Sequence, residues 1–156
     1  MDIVIARAIH VLAIVHWIGG VFMVTAVILP SVRRLETPER RIAAFEAIEG
    51  RFSRQAKISV TLAGLSGLYL TDRLNAWHRF LEVDVLWMHA MVLIWAVFTF
   101  VLFVAEPLVL HAWFRRKAQE NPERVFALIQ RAHVVLLTAS LVTVGAAVLY
   151  ANGFYL

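Results

Sequence analysis

The chain has no cysteine in 156 residues. That absence excludes disulfides, iron–sulfur clusters, thiolate zinc sites and the thioether attachment of c-type haem. Any bound metal must rest on histidine, methionine or carboxylate. Charge is scarce too, at 17% of residues against 61% hydrophobic, and the mean hydropathy is +0.74. A soluble domain of this length could not hide so much apolar side chain, so composition places the chain in the membrane class. No low-complexity segment or flexible linker interrupts it, which leaves a single integral membrane domain over 1–156.

Four apolar runs, about 4–30, 55–72, 84–110 and 131–151, can each cross roughly 30 Å of hydrocarbon, for which about 20 residues suffice. The second is the shortest and needs Ala56 and Ile58 to reach spanning length. The first lacks a basic leader and a small-residue cleavage pattern, so it reads as a mature helix rather than a signal peptide. Basic residues gather between the first two runs (Arg33, Arg34, Arg40, Arg41, Arg51, Arg54, Lys57) and between the last two (Arg115, Arg116, Lys117, Arg124, Arg131). The middle connection sets only Arg73 and Arg79 against Asp72, Glu82 and Asp84. By the positive-inside rule both basic loops are cytoplasmic, and both termini face outward. The expected fold is an all-α antiparallel four-helix transmembrane bundle in a bacterial-type inner (plasma) membrane. The high isoelectric point reflects this topology and contact with anionic lipid, not a nucleic-acid partner.

Thr37-Pro38-Glu39-Arg40 and Asn121-Pro122-Glu123-Arg124 each supply a capping residue, a proline for the first helical position and an acid in the first turn. Amphipathic stretches follow (Phe45, Ile48, Phe52; Phe126, Ile129) and lead into the next run. The first and third runs echo each other, with an early histidine, a tryptophan (Trp17, Trp95) and a proline near the basic end (Pro30, Pro107). A duplicated helix pair, 1–72 with 73–156, and ordinary membrane-helix grammar both account for this.

Within these runs the costly residues are histidines. Hydrocarbon offers an unpaired imidazole nothing to bond, so intramembrane ionisable groups are functional candidates. His10 and His89 both lie roughly 8–10 Å inside the outer boundary at about 1.5 Å per residue. His10, Ile14, Trp17, Val21 and Val24 share one helical stripe; His89, Leu93, Ala96, Phe100, Phe103 and Pro107 share another. Two imidazoles at equal depth with aromatic neighbours Trp17, Trp95 and Phe100 suit the axial positions of a b-type haem. The alternative is a pair of histidines that only hydrogen-bond to neighbouring helices. His16, on a stripe with Gly20, Met23 and Val27, reads as a polar or proton-relay group. With His111 and His133 it also raises a second haem. Glu106 reads as a partner of Arg131 or Arg34, or as part of a proton path. Methionines near the histidines open a different chemistry, copper carried on His10, His16, Met23, Met88 and His89. His78, Trp77, Trp87, Trp113, Tyr150 and Tyr155 read as interfacial residues.

The segment Ala8-Ile9-His10-Val11-Leu12 followed by Trp17-Ile18-Gly19-Gly20 resembles the first helix of two related families, the HemJ-type protoporphyrinogen oxidases and the CopD-like copper-resistance membrane proteins. Ala47-Ile48-Glu49-Gly50-Arg51-Phe52 leading to Gly64-Leu65-Ser66-Gly67-Leu68 resembles their second helix, and Trp87-Met88-His89-Ala90-Met91 the start of the HemJ-type third. The resemblance implies a four-helix membrane protein holding b-type haem through His10. Met91 stands nearest the lysine of the HemJ-type third helix, and Gln130-Arg131-Ala132-His133 does not reproduce their Asn-Glu-x-Pro pattern, so the resemblance does not carry the oxidase activity. The expectation is a membrane haem protein, with His10 and His89 as ligands, that transfers electrons or oxidises a quinone or porphyrinogen. A homo-oligomer is compatible with it. Copper transport and a non-catalytic assembly subunit are the competing readings.

Overall fold

The two proline-led signatures start helices as expected. In a computed structural model describing residues 1–82 and 85–154, with the side chains of 109–112, 114 and 115 set aside, helices begin at Pro38 and at Pro122. Their caps differ. Asn121 Oδ1 accepts the backbone N–H of Arg124 at 3.0 Å, whereas Thr37 caps only through its carbonyl, which accepts from Arg40 and Arg41. The described residues are helical throughout, apart from short connections, and contain no strand.

Helix α1 (Asp2–Met23) continues through a π-helical segment, Val24–Ile28, into α2 (Leu29–Leu35). Helix α3 (Pro38–Arg73) returns, a 3₁₀ turn (Ala76–Leu81) connects, and α4 (Leu86–Phe100) runs through a second π-helical segment, Val101–Leu110, into α5 (His111–Glu120). Helix α6 (Pro122–Ala151) closes the chain. The echo between the first and third runs extends to these π segments. Pro107 lies within one and Pro30 just past the other. A proline lacks the N–H for its i−4 carbonyl and its ring collides with that carbonyl, and a wider turn relieves both problems.

Among the described residues, three helices are long and apolar enough to cross a membrane: Asp2–Leu35, Leu86–Leu108 and Pro122–Ala151. The expected second run, 55–72, falls within α3 but lacks the apolar character of those three. Gln55 and Lys57 open it, and Ser59, Thr61, Ser66, Thr71 and Asp72 dilute it. Two of those polar groups are satisfied against α1, as described below. Elsewhere large apolar side chains point outward; Leu12, Leu93 and Val135 are 67%, 64% and 65% exposed. An apolar perimeter of this extent fits a lipid surround rather than water.

Neighbouring helices run antiparallel. Asp2 at the start of α1 accepts from Tyr69 (2.9 Å) and Arg73 (3.2 Å) at the end of α3, and Trp87 of α4 packs on Tyr150 of α6. Two apolar clusters hold the helices together. One, at the basic end, joins Val24, Leu29 and Val32 to Ile42 and Phe45 of α3 and Phe126 and Ile129 of α6. The other lies deeper and joins Trp17 and Val21 to Val60, Ala63, Phe98 and Leu137. Ile48, expected on the packed face, is 42% exposed. Truncating Phe126, only 2% exposed, would cost about 3–5 kcal/mol, a buried aromatic leaving a cavity.

Candidate functional site

Helix α3 touches α1 closely because small residues line its inner face: Ala56, Ser59, Ala63, Ser66 and Gly67. Small side chains let helix backbones approach. On α3, the hydroxyl of Ser66 donates to the Leu62 carbonyl, and its oxygen stays available as an acceptor. His10 comes down onto this face. Its Nδ1 lies 2.9 Å from the Ala63 carbonyl and 3.1 Å from Ser66 Oγ. A carbonyl only accepts, so Nδ1 carries the proton and the neutral ring keeps its lone pair on Nε2. Nε2 makes no hydrogen bond among the described residues. A Cβ on Gly67 would come within 3.0 Å of His10 Cε1, so glycine there lets the ring approach α3 closely.

His10 lines a cavity of about 760 Å³ between α1, α3 and α4, to which the 3₁₀ turn contributes Trp77 and Phe80. Ile14 and Trp17 continue the α1 wall, and Ala63, Gly64 and Gly67 form the α3 wall. The α4 wall is Met88, Met91, Trp95 and Thr99. Trp95 lies across α3, with its indole N–H donating to the Val60 carbonyl at 2.9 Å. Gly64 makes this crossing feasible, since a Cβ there would fall 2.6–2.7 Å from the indole. Trp17 Nε1 and Thr99 Oγ1 are buried without a hydrogen-bond partner, and both residues line the cavity. Leu65 and Leu68 on α3, Val92 on α4 and Phe103 in the π-helical segment after it form an exposed rim. The cavity therefore opens sideways, through the apolar perimeter.

His10, Trp17 and Trp95 line one cavity. His89 and Phe100 do not join them. His89 is exposed, and its Nε2–H donates to the Phe80 carbonyl at 3.0 Å. The Phe80 ring meets the imidazole edge-on at 5.5 Å. Phe100 is 59% exposed and lines no part of the cavity. The face α4 presents is Met88, Met91, Trp95 and Thr99, one residue away from the expected stripe, or about 100° around the helix.

The other candidates separate. His16 Nδ1–H donates to Ser59 Oγ at 2.8 Å, and His133 Nδ1–H donates to the Ile129 carbonyl of its own helix at 2.9 Å, with Phe45 edge-on. The His111 side chain lies outside the described residues. Met23 is 57% exposed, so of the copper set only His10 and Met88 share the cavity. No group of three or more metal-ligating His, Asp or Glu side chains occurs among the described residues. Among the described residues Glu106 makes no ion pair with Arg131 or Arg34. Ser53 Oγ lies 2.7 and 2.6 Å from its two carboxylate oxygens, and Lys57 Nζ is 3.4 Å from one of them. Ser53 and Lys57 come from α3, which the sequence reading left out of the chemistry. The stripe of small residues on α3 was the available sign of it.

The residues fit an axially ligated haem in one respect above all. A metal-ligating histidine typically donates its second ring nitrogen to a carbonyl, which fixes the tautomer and aims the free nitrogen; His10 has that arrangement. Compared with known protein families, curated proteins and solved structures, the chain matches none. Its chemistry is read from its own geometry.

Proposed function

We propose that this is a membrane-embedded b-type haem protein in which His10 supplies an axial imidazole. Its role would be electron transfer or oxidation of a quinone- or porphyrinogen-type substrate. The observation that carries the reading is His10 itself, which lines a large apolar cavity with Nδ1–H tied to the Ala63 carbonyl and Nε2 without a hydrogen bond among the described residues. Haem bound there would supply one-electron redox chemistry. The chain's own residues hold, orient and shield. Ala63 and Ser66 fix the ring plane, Trp17 and Trp95 offer flat apolar surface, and Trp77 and Phe80 extend the apolar wall.

The far wall offers the Met88 and Met91 thioethers rather than the His89 imidazole. Met88 or Met91 would hold the group from that side. His–Met ligation raises the potential of the iron relative to other ligand sets, which suits an electron acceptor. The sideways opening lets a lipid-dissolved substrate reach the site without crossing water. In this reading α3 is the fourth span, its polar inner face covered by α1, and the arginine-rich end is cytoplasmic by the positive-inside rule. Both termini then face outward from a bacterial-type inner membrane.

The test is the spectrum of protein purified in detergent from cells supplied with haem. The expected result is stoichiometric haem with a Soret band that sharpens on reduction. A preparation without a Soret band would refute the reading, and stoichiometric copper without haem would favour the CopD-like alternative.

A further inference from the structure

At the arginine-rich end, the end of α2 and the starts of α3 and α6 enclose a second cavity, of about 970 Å³. Arg33, Arg34, Arg41, Arg124 and Arg131 line it, against the single carboxylate of Glu123. Arg41 is built into the wall. Its Nε and Nη2 donate to the Glu36 and Arg33 carbonyls (3.2 and 3.0 Å), Nη1 lies 3.9 Å from Glu123, and its guanidinium sits 6.0 Å over the Phe126 ring. The guanidinium groups of Arg33, Arg34, Arg124 and Arg131 find no acceptor among the described residues. The first turn of α6 starts here as well; the Asn121 side chain accepts from the Arg124 amide and its carbonyl from the Val125 amide. The positive end of a 30-residue helix therefore adds to the same field.

Topology alone requires basic residues at this end, not a concave basin lined by five arginines. We infer that the basin is a binding site for a phosphate-bearing anion. Guanidinium is the side chain best matched to phosphate, through paired N–H donors. The volume lies near the top of the range of about 300–1,000 Å³ typical of small-ligand sites. The same chemistry is carried by a phospholipid headgroup at the membrane surface and by a soluble di- or triphosphate. The inference stands independently of the haem reading.

The experiment uses delipidated full-length protein in non-ionic detergent and phosphate-free buffer. Calorimetric titrations with inorganic pyrophosphate, and separately with short-chain phosphatidylglycerol, are compared with short-chain phosphatidylcholine. Saturable binding in the pyrophosphate arm assigns a soluble ligand, and saturable binding only in the phosphatidylglycerol arm assigns a headgroup. Arg33→Gln with Arg131→Gln should weaken binding by about tenfold or more, the equivalent of one lost charge-assisted contact. Arg51→Gln with Arg54→Gln removes equal charge outside the basin and should leave affinity nearly unchanged. Arg33→Lys guards against misfolding; it keeps the charge, loses the paired donors and should fall between. No saturable binding in either arm, or equal losses from the two double variants, would overturn the inference.

Discussion

His10 and His89 begin alike, as imidazoles a few residues inside apolar runs, and the folded chain treats them differently. His10 donates across to α3 and lines a cavity. His89 reaches back nine residues to the Phe80 carbonyl and lies exposed outside that cavity. Both have their polar cost met by a carbonyl. Only His10 lines the cavity. Equal depth in the sequence therefore does not bring two imidazoles to the same space.

The comparison can be broken most forcefully at the floor of the cavity. Gly64→Leu would push side chain into the space Trp95 crosses, destabilising the protein by about 1–3 kcal/mol through overpacking. It should also remove most bound cofactor, measured as haem per protein. Ser66→Ala leaves the Ala63 carbonyl in place but takes away the second acceptor of His10. Haem affinity should drop about tenfold, the low end for losing a partner behind a ligating histidine, as read by competitive haem transfer to an apo-acceptor. At His89 the expected effects are smaller and of another kind. His89→Ala should lower stability by about 0.6 kcal/mol, the average for an interhelical hydrogen bond within a membrane, with haem content unchanged. Phe100→Ala should change stability by less than about 0.5 kcal/mol, as for other exposed sites, and leave the spectrum alone. A spectral change in either of the last two would erase the contrast.

Much of the fold was legible because membrane helices carry strong signals. The proline-led starts at Pro38 and Pro122, the apolar runs and the buried stripe from His10 through Trp17 to Val21 and Val24 all follow from spacing alone. The rotation of α4 was not legible, because that helix is apolar all round and one face looks like another. Choosing the His89 stripe over the Met88–Trp95 face was a choice without a periodic signal. Helix α3 was misread in the opposite sense. Its Ser and Gly residues weaken it as an apolar span, yet they form the wall that His10, His16, Trp95 and Glu106 all contact. Side-chain size on that face carried information that hydropathy did not.

The most direct measurement replaces one ring and returns it in solution. His10→Gly and His89→Gly are purified with haem, and their reduced spectra are recorded with and without added imidazole. The account predicts that His10→Gly loses the ligated spectrum and regains it with imidazole, while His89→Gly is indifferent to both. An unaltered spectrum in His10→Gly, or loss and rescue confined to His89→Gly, would contradict it.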